Sequence, residues 1–483
     1  MTDEREYFSS RWGLLFTTLG MVIGAGNIWR FPRIAAQNGG GAFLLAWVAA
    51  LFLWSIPILI IEFGIGRHTR LGVIGAFGKL LQGRLTWMGL FISFCTAAIM
   101  FYYSVVAGWC IRYAIASFSL RALAGDPAGY WMQFTSGPLP VLFHLLAMVL
   151  AGAVVYRGVN RGIERVNRIM IPLLFILLVS LAVRALFLPG AERGLHFLFH
   201  PQWGDLLHSR IWLEALSQSA WSAGPGWGLL LTYAVYSRRR DDATLNSIFL
   251  GFGNNVASIL AGIAVLCTLF ALVPGDQAME AIGQGNIGLT FIWLPQLFVN
   301  IPAGAIFMFV FFLAMTLAAI SSLISMIEMV VRIIMDAGFS RRRALVIVVA
   351  AGFGLGIPSS LSLGFFANQD WVWGLGLIVS GFFMAVAVNF FGVRKFRNEI
   401  INVPDRELTL GRWFDILVRW IIPIEFIGLL GWWFYQSITV YQPGDWWNPL
   451  RSYSLGSTVI QWGAVIILGL LLSRKLYTTF CRD

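Results

Sequence analysis

The chain has 483 residues, of which 58% are hydrophobic and 12% are charged, and its mean hydropathy is +0.76. A soluble globular protein carries roughly 25% charged residues, so this composition could not provide a water-facing surface for so much apolar material. It excludes a soluble enzyme and predicts an all-α polytopic membrane protein.

Twelve apolar stretches are each compatible with a membrane crossing, and we number them spans 1 to 12 in chain order. They lie at residues 13–36, 41–66, 87–120, 139–156, 168–188, 211–236, 243–273, 302–335, 344–358, 371–392, 416–438 and 457–473. Between spans 7 and 8, residues 284–304 are interrupted by Gly and Pro, which predicts a folded outer loop or re-entrant hairpin that could act as a lid. No soluble domain is predicted, so residues 1–483 form a single transmembrane domain.

The net charge of +11 would suit nucleic-acid binding, but the distribution of that charge favours a membrane protein. Basic residues cluster in alternate loops, whereas the loops near Asp276 and Gln369 lack them. The positive-inside rule places the basic loops and both termini in the cytoplasm, which requires an even number of crossings. We therefore predict an integral protein of the plasma (inner) membrane, in contact with the lipid bilayer and with no nucleic-acid partner.

Spans 1 and 6 have unusual sequences for helices. Span 1 contains GMVIGAGNIWRFP at residues 20–32, and span 6 contains SAGPGWG at residues 222–228. In a helix interior Gly costs about 1 kcal/mol and Pro about 3 kcal/mol relative to Ala, so both spans are expected to unwind. Broken backbone at membrane depth persists only where protein or a water-filled cavity satisfies its N–H and C=O groups, which are then available to a ligand. The pattern predicts a binding site.

The two interrupted spans each begin a set of five. Paired interruptions at matching positions are typical of secondary transporters built from inverted repeats, and independent Gly/Pro kinks are the alternative. We predict a 5+5 inverted repeat with discontinuous helices in spans 1 and 6. The first repeat covers about 11–188, the second about 211–395, and accessory spans 11 and 12 about 416–473.

Several segments are similar to those of one known family. They are RWGLLFTTLGMVIGAGNIWRFPRIAAQNGGGAFLLAWV in spans 1 and 2, SIPILIIEFGIGR in span 2, FYYSVVAGW in span 3, SQSAWSAGPGWG in span 6, LAAISSLIS in span 8 and NQDWVWG entering span 10. On these motifs the chain resembles the neurotransmitter:sodium symporter family, whose bacterial members include the leucine transporter. The similarity runs through spans 1 to 10.

The resemblance implies two sodium sites whose ligands are all neutral oxygen atoms. Such ligands suit a monovalent cation that must be released again, whereas clustered carboxylates would suit a divalent cation. A single Ser in a membrane helix usually bonds a neighbouring group, so the joint pattern carries this prediction rather than any one residue. The first site comprises Val22, Asn27, Ser222 and Asn254, completed by a substrate carboxylate. The second site comprises Gly20, Ile23, Ala318, Ser321 and Ser322.

The resemblance also implies an amino-acid substrate held by unwound backbone. Its carboxylate would meet N–H groups of the span 1 break, the hydroxyl of Tyr103 and sodium. Aminergic relatives have an acidic residue at the position of Gly24, and its absence favours a substrate with its own carboxylate. Large Trp227 and small Gly224 have opposite effects on the expected substrate size, so we predict a neutral, small or medium amino acid. The substrate residues are Val22, Ala25, Gly26, Ile99, Tyr103, Trp221, Ser222, Gly224, Trp227, Ser322 and Met326.

Two gates are implied on either side of this site. The outer gate comprises Arg30, Asp370, Tyr103 and Trp221, and a static ion pair between the two charged residues is the alternative. The inner gate comprises Arg5, Phe8, Tyr236 and Asp336, although the family commonly has Trp in place of Phe8. Glu62 matches a family carboxylate, and we assign it a structural role rather than proton transfer.

The sequence does not decide whether the protein has a chloride site. Chloride-dependent relatives have Ser in span 7 at the position of Ser258, which lies one turn from Asn254 and therefore on its face. The usual Tyr of span 2 is replaced by Trp47, whose indole N–H can donate but whose ring is larger. The residues that would surround the anion are Trp47, Gln218, Ser222, Asn254 and Ser258.

These features predict a sodium-coupled symporter of a neutral amino acid that works by alternating access and is not an enzyme. The chain has no HExxH or GxxxxGK[ST] motif, and its His residues lie mainly near loops. A sodium-dependent amino-acid sensor or a sodium channel on the same scaffold is the alternative. The identity of the solute, the number of sodium ions, with two expected, and the oligomeric state are left open.

Overall fold

The computed structural model describes residues 6–119, 125–404 and 407–481, and within these ranges it is helical with no β-strand. Nine helices of the described chain are long and apolar enough to cross a bilayer. These nine helices form spans 2 to 5, 7 to 10 and 12. Their bounds are Gly41–Thr69, Thr86–Ser119, Leu139–Tyr156, Val159–Leu186, Ala243–Leu272, Gly304–Asp336, Arg341–Leu361, Leu363–Phe391 and Leu455–Phe480.

Spans 1 and 6 are each divided into two helices, whereas span 11 is one continuous run of helical segments. Span 1 consists of Arg11–Val22 and Ala25–Gln37, which meet at an angle of 56°. Span 6 consists of Ser209–Ser222 and Leu229–Val235, and span 11 consists of Trp413–Ile416, Leu417–Ile421 and Ile422–Gln436. Helices therefore lie on all twelve predicted spans, and the two predicted interruptions are present.

Span 10 begins earlier than its apolar sequence predicts. The helix starts at Leu363, where the side chain of Ser362 caps it by accepting a hydrogen bond from the Phe365 N–H group, whereas the predicted span begins at residue 371. The first two turns include Asn368, Gln369 and Asp370, which lowered the apparent hydropathy. A helix can carry such residues when they face a polar interior rather than lipid, and hydropathy alone does not register that difference.

Short helices connect the spans on both sides. The segment between spans 7 and 8 contains the apolar helical stretch Gly285–Val299, which is too short to cross a bilayer. The other connecting helices are Val73–Leu80, Pro127–Ser136, Ala191–Phe199, Trp203–Leu207, Gly275–Gly283, Val393–Phe396, Arg397–Ile401 and Ser437–Tyr441.

Spans 1 and 6 lie among the other helices. The first half of span 1 packs against spans 5, 7 and 8, and the second half of span 6 packs against spans 2 and 8. Close approach depends on small residues, as is common between membrane helices. At Gly66 in span 2, for example, an added Cβ would lie 2.8 Å from the carbonyl carbon of Leu231 in span 6.

Three glycines determine the shape of the span 6 break. Gly224, Gly226 and Gly228 have φ values of +71°, +87° and +75°, a left-handed region that residues with a Cβ rarely adopt. A Cβ on Gly226 would also lie 2.5 Å from the Cα atom of Gly381 in span 10. The break therefore requires glycine both for its dihedral angles and for its contact with span 10.

We expect Gly226→Ala to destabilise the protein by more than about 1–3 kcal/mol. Strain at a left-handed residue costs about that much, and the collision with span 10 adds to it. Thermal unfolding of the detergent-solubilised protein measures this change. Gly431→Ala is the matched control, because Gly431 lies inside a helix and no atom lies within 4 Å of its added Cβ. An equal effect of both substitutions would contradict the explanation.

Candidate functional site

The break in span 1 is small and is held by two side chains. Ile23 and Gly24 separate the two helices of the span. The Gly24 N–H group donates to Asn27 Oδ1 at 3.0 Å, and the Ala25 N–H group donates to the Tyr103 hydroxyl of span 3 at 2.9 Å. A hydroxyl that accepts one hydrogen bond keeps its own proton for another acceptor, so Tyr103 can still donate to a ligand.

The longer break in span 6 is held by spans 2 and 3. The buried Glu62 carboxylate of span 2 accepts hydrogen bonds from the N–H groups of Gly226 and, at 3.2 Å, Leu231. The Thr96 hydroxyl of span 3 donates to the Trp227 carbonyl at 2.7 Å. Glu62 thus satisfies N–H groups freed at the start of a helix, where a negative charge is favourable. These contacts support the structural role predicted for Glu62.

A cavity of about 70 Å³ lies between the two breaks. Most of the predicted substrate residues line it, whereas Ala25 and Ile99 are buried and do not line it. The predicted residues that line the cavity are Val22, Gly26, Tyr103, Trp221, Ser222, Gly224, Trp227, Ser322 and Met326. The lining residues that were not predicted as substrate residues include Met21, Trp29, Tyr102, Val106, Leu229 and Asn286.

Asn286 shows how the outer loop reaches the cavity. It lies in the Gly285–Val299 stretch, and its side-chain oxygen accepts a hydrogen bond from Arg33 Nε at 2.5 Å. Arg33 also donates to the Gln37 side chain at 2.7 Å, and Gln37 donates to the Ile282 carbonyl at 3.2 Å. The loop is therefore tied to the outer half of span 1. A polar residue within the interrupted loop was the only sequence signal for this role.

The side chains proposed for the first sodium site form one hydrogen-bonded cluster. The Asn27 amide donates to Asn254 Oδ1 at 2.6 Å and to the Ser258 hydroxyl at 2.8 Å. The Asn254 amide donates to the Ser222 hydroxyl at 3.2 Å. These side chains come from spans 1, 6 and 7, and all are buried. Their oxygen atoms are of the type that a hard cation prefers.

The groups proposed for the second sodium site lie where span 1 meets span 8. The Ser322 hydroxyl of span 8 lies 3.3 Å from the Gly20 carbonyl and 3.2 Å from the Met21 carbonyl. The Ser321 hydroxyl donates to the Ala318 carbonyl at 3.0 Å. Span 1 loses its regular helical pairing just beyond Gly20, because Ile23 and Gly24 leave the helix. Carbonyl groups of this turn are therefore available next to the span 8 hydroxyls.

Two of the residues that would surround a chloride ion are buried and have hydrogen-bond donors without a partner among the described residues. Both side-chain polar atoms of Gln218 and the indole N–H group of Trp47 have no hydrogen-bond partner among the described residues. Burying such a group without a partner costs roughly 1–3 kcal/mol. Ser258, the third predicted donor, already accepts a hydrogen bond from Asn27. The amide N–H groups of Gln218 and the indole N–H group of Trp47 are therefore buried donors without a partner among the described residues.

The outer gate is not closed by a direct ion pair. Arg30 and Asp370 both line the cavity, but no salt bridge joins them within the described chain. The Arg30 guanidinium instead lies 4.7 Å above the centroid of the Trp221 ring, a favourable cation–π arrangement. The static ion pair considered as an alternative is thus not present in this structure.

The described residues of the predicted inner gate, Phe8, Tyr236 and Asp336, make contacts with neighbouring segments. Arg5 lies outside the described residues. Asp336 pairs with Arg332 at 2.7 Å and accepts a hydrogen bond from the Gly72 N–H group. Buried Phe8 donates its N–H group to the Tyr236 carbonyl at 3.1 Å.

Glu328 is an inner residue that the sequence did not reveal. The Tyr236 hydroxyl donates to its carboxylate at 2.7 Å, and Arg341 forms a salt bridge with it. Glu328 is fully buried in span 8, whereas Arg341 begins span 9. Because Tyr236 also binds the backbone of Phe8, these contacts connect the N-terminal segment to spans 6, 8 and 9.

A helical bundle with paired helix breaks around a central cavity belongs to the class of inverted-repeat secondary transporters. The profile of the Sodium:neurotransmitter symporter family matches residues 5–128 and 137–479. The chain therefore belongs to this family of sodium-coupled transporters and is an integral membrane protein. The predicted family is confirmed.

Two relatives and one solved structure illustrate this relationship. The chain is 33% identical over 445 residues to an uncharacterized sodium-dependent transporter of Methanocaldococcus jannaschii, covering 87% of this chain and 89% of the relative. It is 32% identical over 469 residues to the uncharacterized sodium-dependent transporter YhdH of Bacillus subtilis, covering 89% and 99%. The crystal structure of MhsT in complex with L-phenylalanine matches with a TM-score of 0.77 at 32% identity, covering 88% of this chain and 99% of MhsT. This match confirms the predicted fold class.

We expect Glu328→Gln to destabilise the protein by about 3–5 kcal/mol, because it leaves the Arg341 charge without its buried partner. Glu407→Gln breaks the exposed Arg11–Glu407 pair and should cost less than about 1 kcal/mol. Thermal unfolding of both variants in detergent provides the comparison. Equal losses would argue against a special role for the buried pair.

Proposed function

We propose that the protein is a sodium-coupled symporter of a neutral, small or medium amino acid and that it works by alternating access. The observation that carries this proposal is the cavity between the two helix breaks, lined by polar groups of spans 1, 3, 6 and 8. The similarity to MhsT, whose solved complex contains L-phenylalanine, supports an amino-acid substrate.

The proposed substrate supplies its own carboxylate. An added Cβ on Gly24 would lie 2.8 Å from the Tyr103 hydroxyl and 3.1 Å from the Ser322 hydroxyl, so an acidic side chain has no room there. Gly26, in contrast, has no atom within 4 Å of its added Cβ. A substrate carboxylate can therefore approach the backbone at Gly26 and accept the free proton of Tyr103, with its amine near the carbonyls of Val22 and Ser222.

The space for the substrate side chain is bounded by two indole rings. Trp221 and Trp227 meet edge to face, with ring centroids 6.2 Å apart. Beside them, the added Cβ of Gly224 would contact only Val22, at 3.5 Å. Gly224 therefore opens a volume that the two tryptophans limit, which supports a small or medium neutral side chain.

Two sodium ions provide the proposed driving force. The proposed ligands are neutral oxygen atoms, so each ion can be released after it has crossed. A charge crossing 100 mV is worth about 2.3 kcal/mol, and a tenfold concentration gradient adds about 1.4 kcal/mol. One sodium ion per zwitterion would thus support roughly 500-fold accumulation, and two would support roughly 10⁵-fold.

The contacts at the two gates support a cavity that opens to one side of the membrane at a time. Outside, Arg30 and Asp370 line the cavity without pairing, whereas inside, Phe8 is buried and bound to Tyr236. We propose that substrate and sodium draw the outer groups together before the inner contacts separate. The proposed setting is the plasma membrane with cytoplasmic termini, and the proposed repeats cover about 11–188 and 211–395.

Purified protein in proteoliposomes should accumulate labelled neutral amino acids only under an inward sodium gradient, and a competition panel of the common amino acids identifies the substrate.

Asn27→Ala removes a proposed sodium ligand and should raise the sodium concentration for half-maximal uptake about tenfold or more, since contacts to a charged group are worth about 1.5–3 kcal/mol. Gly26→Leu should block binding, because it fills the carboxylate position.

The rival functions give different results in the same assay. Normal sodium-dependent amino-acid binding without uptake would indicate a sensor. A sodium current that does not depend on amino acids would indicate a channel. Unchanged sodium dependence in Asn27→Ala would refute the assignment of the first sodium site.

We further propose that the buried donors of Gln218 and Trp47 bind chloride beside the first sodium site. Replacing chloride by gluconate should then reduce uptake several-fold, because a bound anion offsets the sodium charge in a site of low polarity. Gln218→Leu should remove this dependence on chloride. Equal uptake in chloride and gluconate by the unmodified protein would contradict the proposal.

A further inference from the structure

The side-chain oxygen of Asn167 in span 5 has no hydrogen-bond partner among the described residues. Its side-chain N–H group donates to the Ile163 carbonyl at 3.0 Å, but its Oδ1 atom has no hydrogen-bond partner among the described residues. The residue is fully buried, with 0% exposure. An unpaired buried acceptor costs roughly 1–3 kcal/mol, so its presence requires an explanation.

This oxygen lies against the turn proposed to bind the second sodium ion. A Cβ on Gly20 would collide with Asn167 Oδ1 and would lie 3.1 Å from the Ile171 side chain. The Gly20 carbonyl is one of the proposed sodium ligands and lies 3.3 Å from the Ser322 hydroxyl. The unpaired oxygen of span 5 is thus adjacent to Gly20, a proposed sodium ligand of span 1.

Other oxygen atoms continue from this point toward the N-terminal end of span 1. Gly13, Thr17 and Gly20 are spaced so that they lie along one face of the helix, and an added Cβ on Gly13 would collide with Glu164 of span 5. Thr17 is fully buried and its hydroxyl has no partner within the described chain. At the end of this row the Glu164 carboxylate accepts the Ser9 N–H group at 2.8 Å and is neutralised by Arg168.

We propose that Asn167 Oδ1 is a transient sodium ligand, which receives the second sodium ion from Gly20 and passes it along Thr17 toward the cytoplasm. The inference rests on the proposed second sodium site. A hard cation binds amide and hydroxyl oxygens, and neutral ligands release it readily. The purely structural alternative is a weak contact of Oδ1 with the Gly20 Cα–H group.

Release and equilibrium binding of ²²Na⁺ distinguish these explanations. Influx is measured in proteoliposomes with ²²Na⁺ and an equimolar mixture of the common neutral amino acids outside, and binding is measured on the detergent-solubilised protein. Asn167→Leu removes the oxygen at similar size and should slow ²²Na⁺ influx about tenfold. Equilibrium ²²Na⁺ affinity should change less than about twofold, because Asn167 is not a ligand of the resting site.

Ile171→Leu is the matched control, because Ile171 contacts the same Gly20 face without an oxygen atom. It should leave both influx and binding unchanged. If Asn167→Leu does not yield folded protein, Asn167→Ala tests the same loss without added bulk. Influx of the Asn167 variant equal to that of Ile171→Leu would overturn the inference. An equally large loss of equilibrium affinity would also overturn it, because it would indicate a resting ligand or a structural role.

Ser321→Ala separates a failure of this inference from a failure of the proposed sodium site. It removes a proposed resting ligand and should weaken equilibrium ²²Na⁺ binding. If it does so while Asn167→Leu behaves normally, only the role of Asn167 is wrong. If Ser321→Ala leaves binding unchanged, the second sodium site itself is misplaced and the inference fails with it.

Discussion

A peptide group that leaves a helix inside a bilayer must find a partner within the protein, because lipid offers none. Both breaks in this structure meet that constraint through other helices. Glu62 of span 2 accepts N–H groups of the span 6 break, and Thr96 of span 3 donates to the Trp227 carbonyl of the same break. Tyr103 of span 3 accepts an N–H group from the span 1 break. The central cavity thus has its shape because neighbouring spans hold the unwound segments in place.

The proposed ion ligands are neutral, and the charged residues near them make other contacts. The cluster of Asn27, Asn254 and Ser222 contains only neutral groups, whereas Arg30 and Asp370 line the cavity and Glu328 pairs with Arg341. Charges are costly within a membrane unless they are paired or face water. In the proposed mechanism, charged gates and neutral ligands have different tasks: the gates would change partners, and the neutral ligands would release the ion.

Much of the fold could be predicted because its signals are local. Length and hydropathy located twelve stretches on which the described helices lie, and the glycines and proline of two short motifs located both helix breaks. The early start of span 10 was missed, because its first turns carry Asn368 and Asp370. A hydropathy pattern assumes that a membrane helix faces lipid, and these residues lie where the protein supplies a polar environment. The place of Asn286 in the cavity was missed for a related reason, since it depends on how the outer loop folds back.

The sequence by itself determined the membrane class, the positions of the breaks, the family and most of the residues that line the cavity. Composition and motif spacing suffice for these features because each depends on residues close together in the chain. The tertiary structure alone decided that Arg30 stacks on Trp221 instead of pairing with Asp370, and that Glu328 anchors the inner side. It also placed the unpaired oxygen of Asn167 beside Gly20. Such contacts depend on which helix faces pack together. They join side chains that are far apart in the sequence, so no local sequence pattern predicts them.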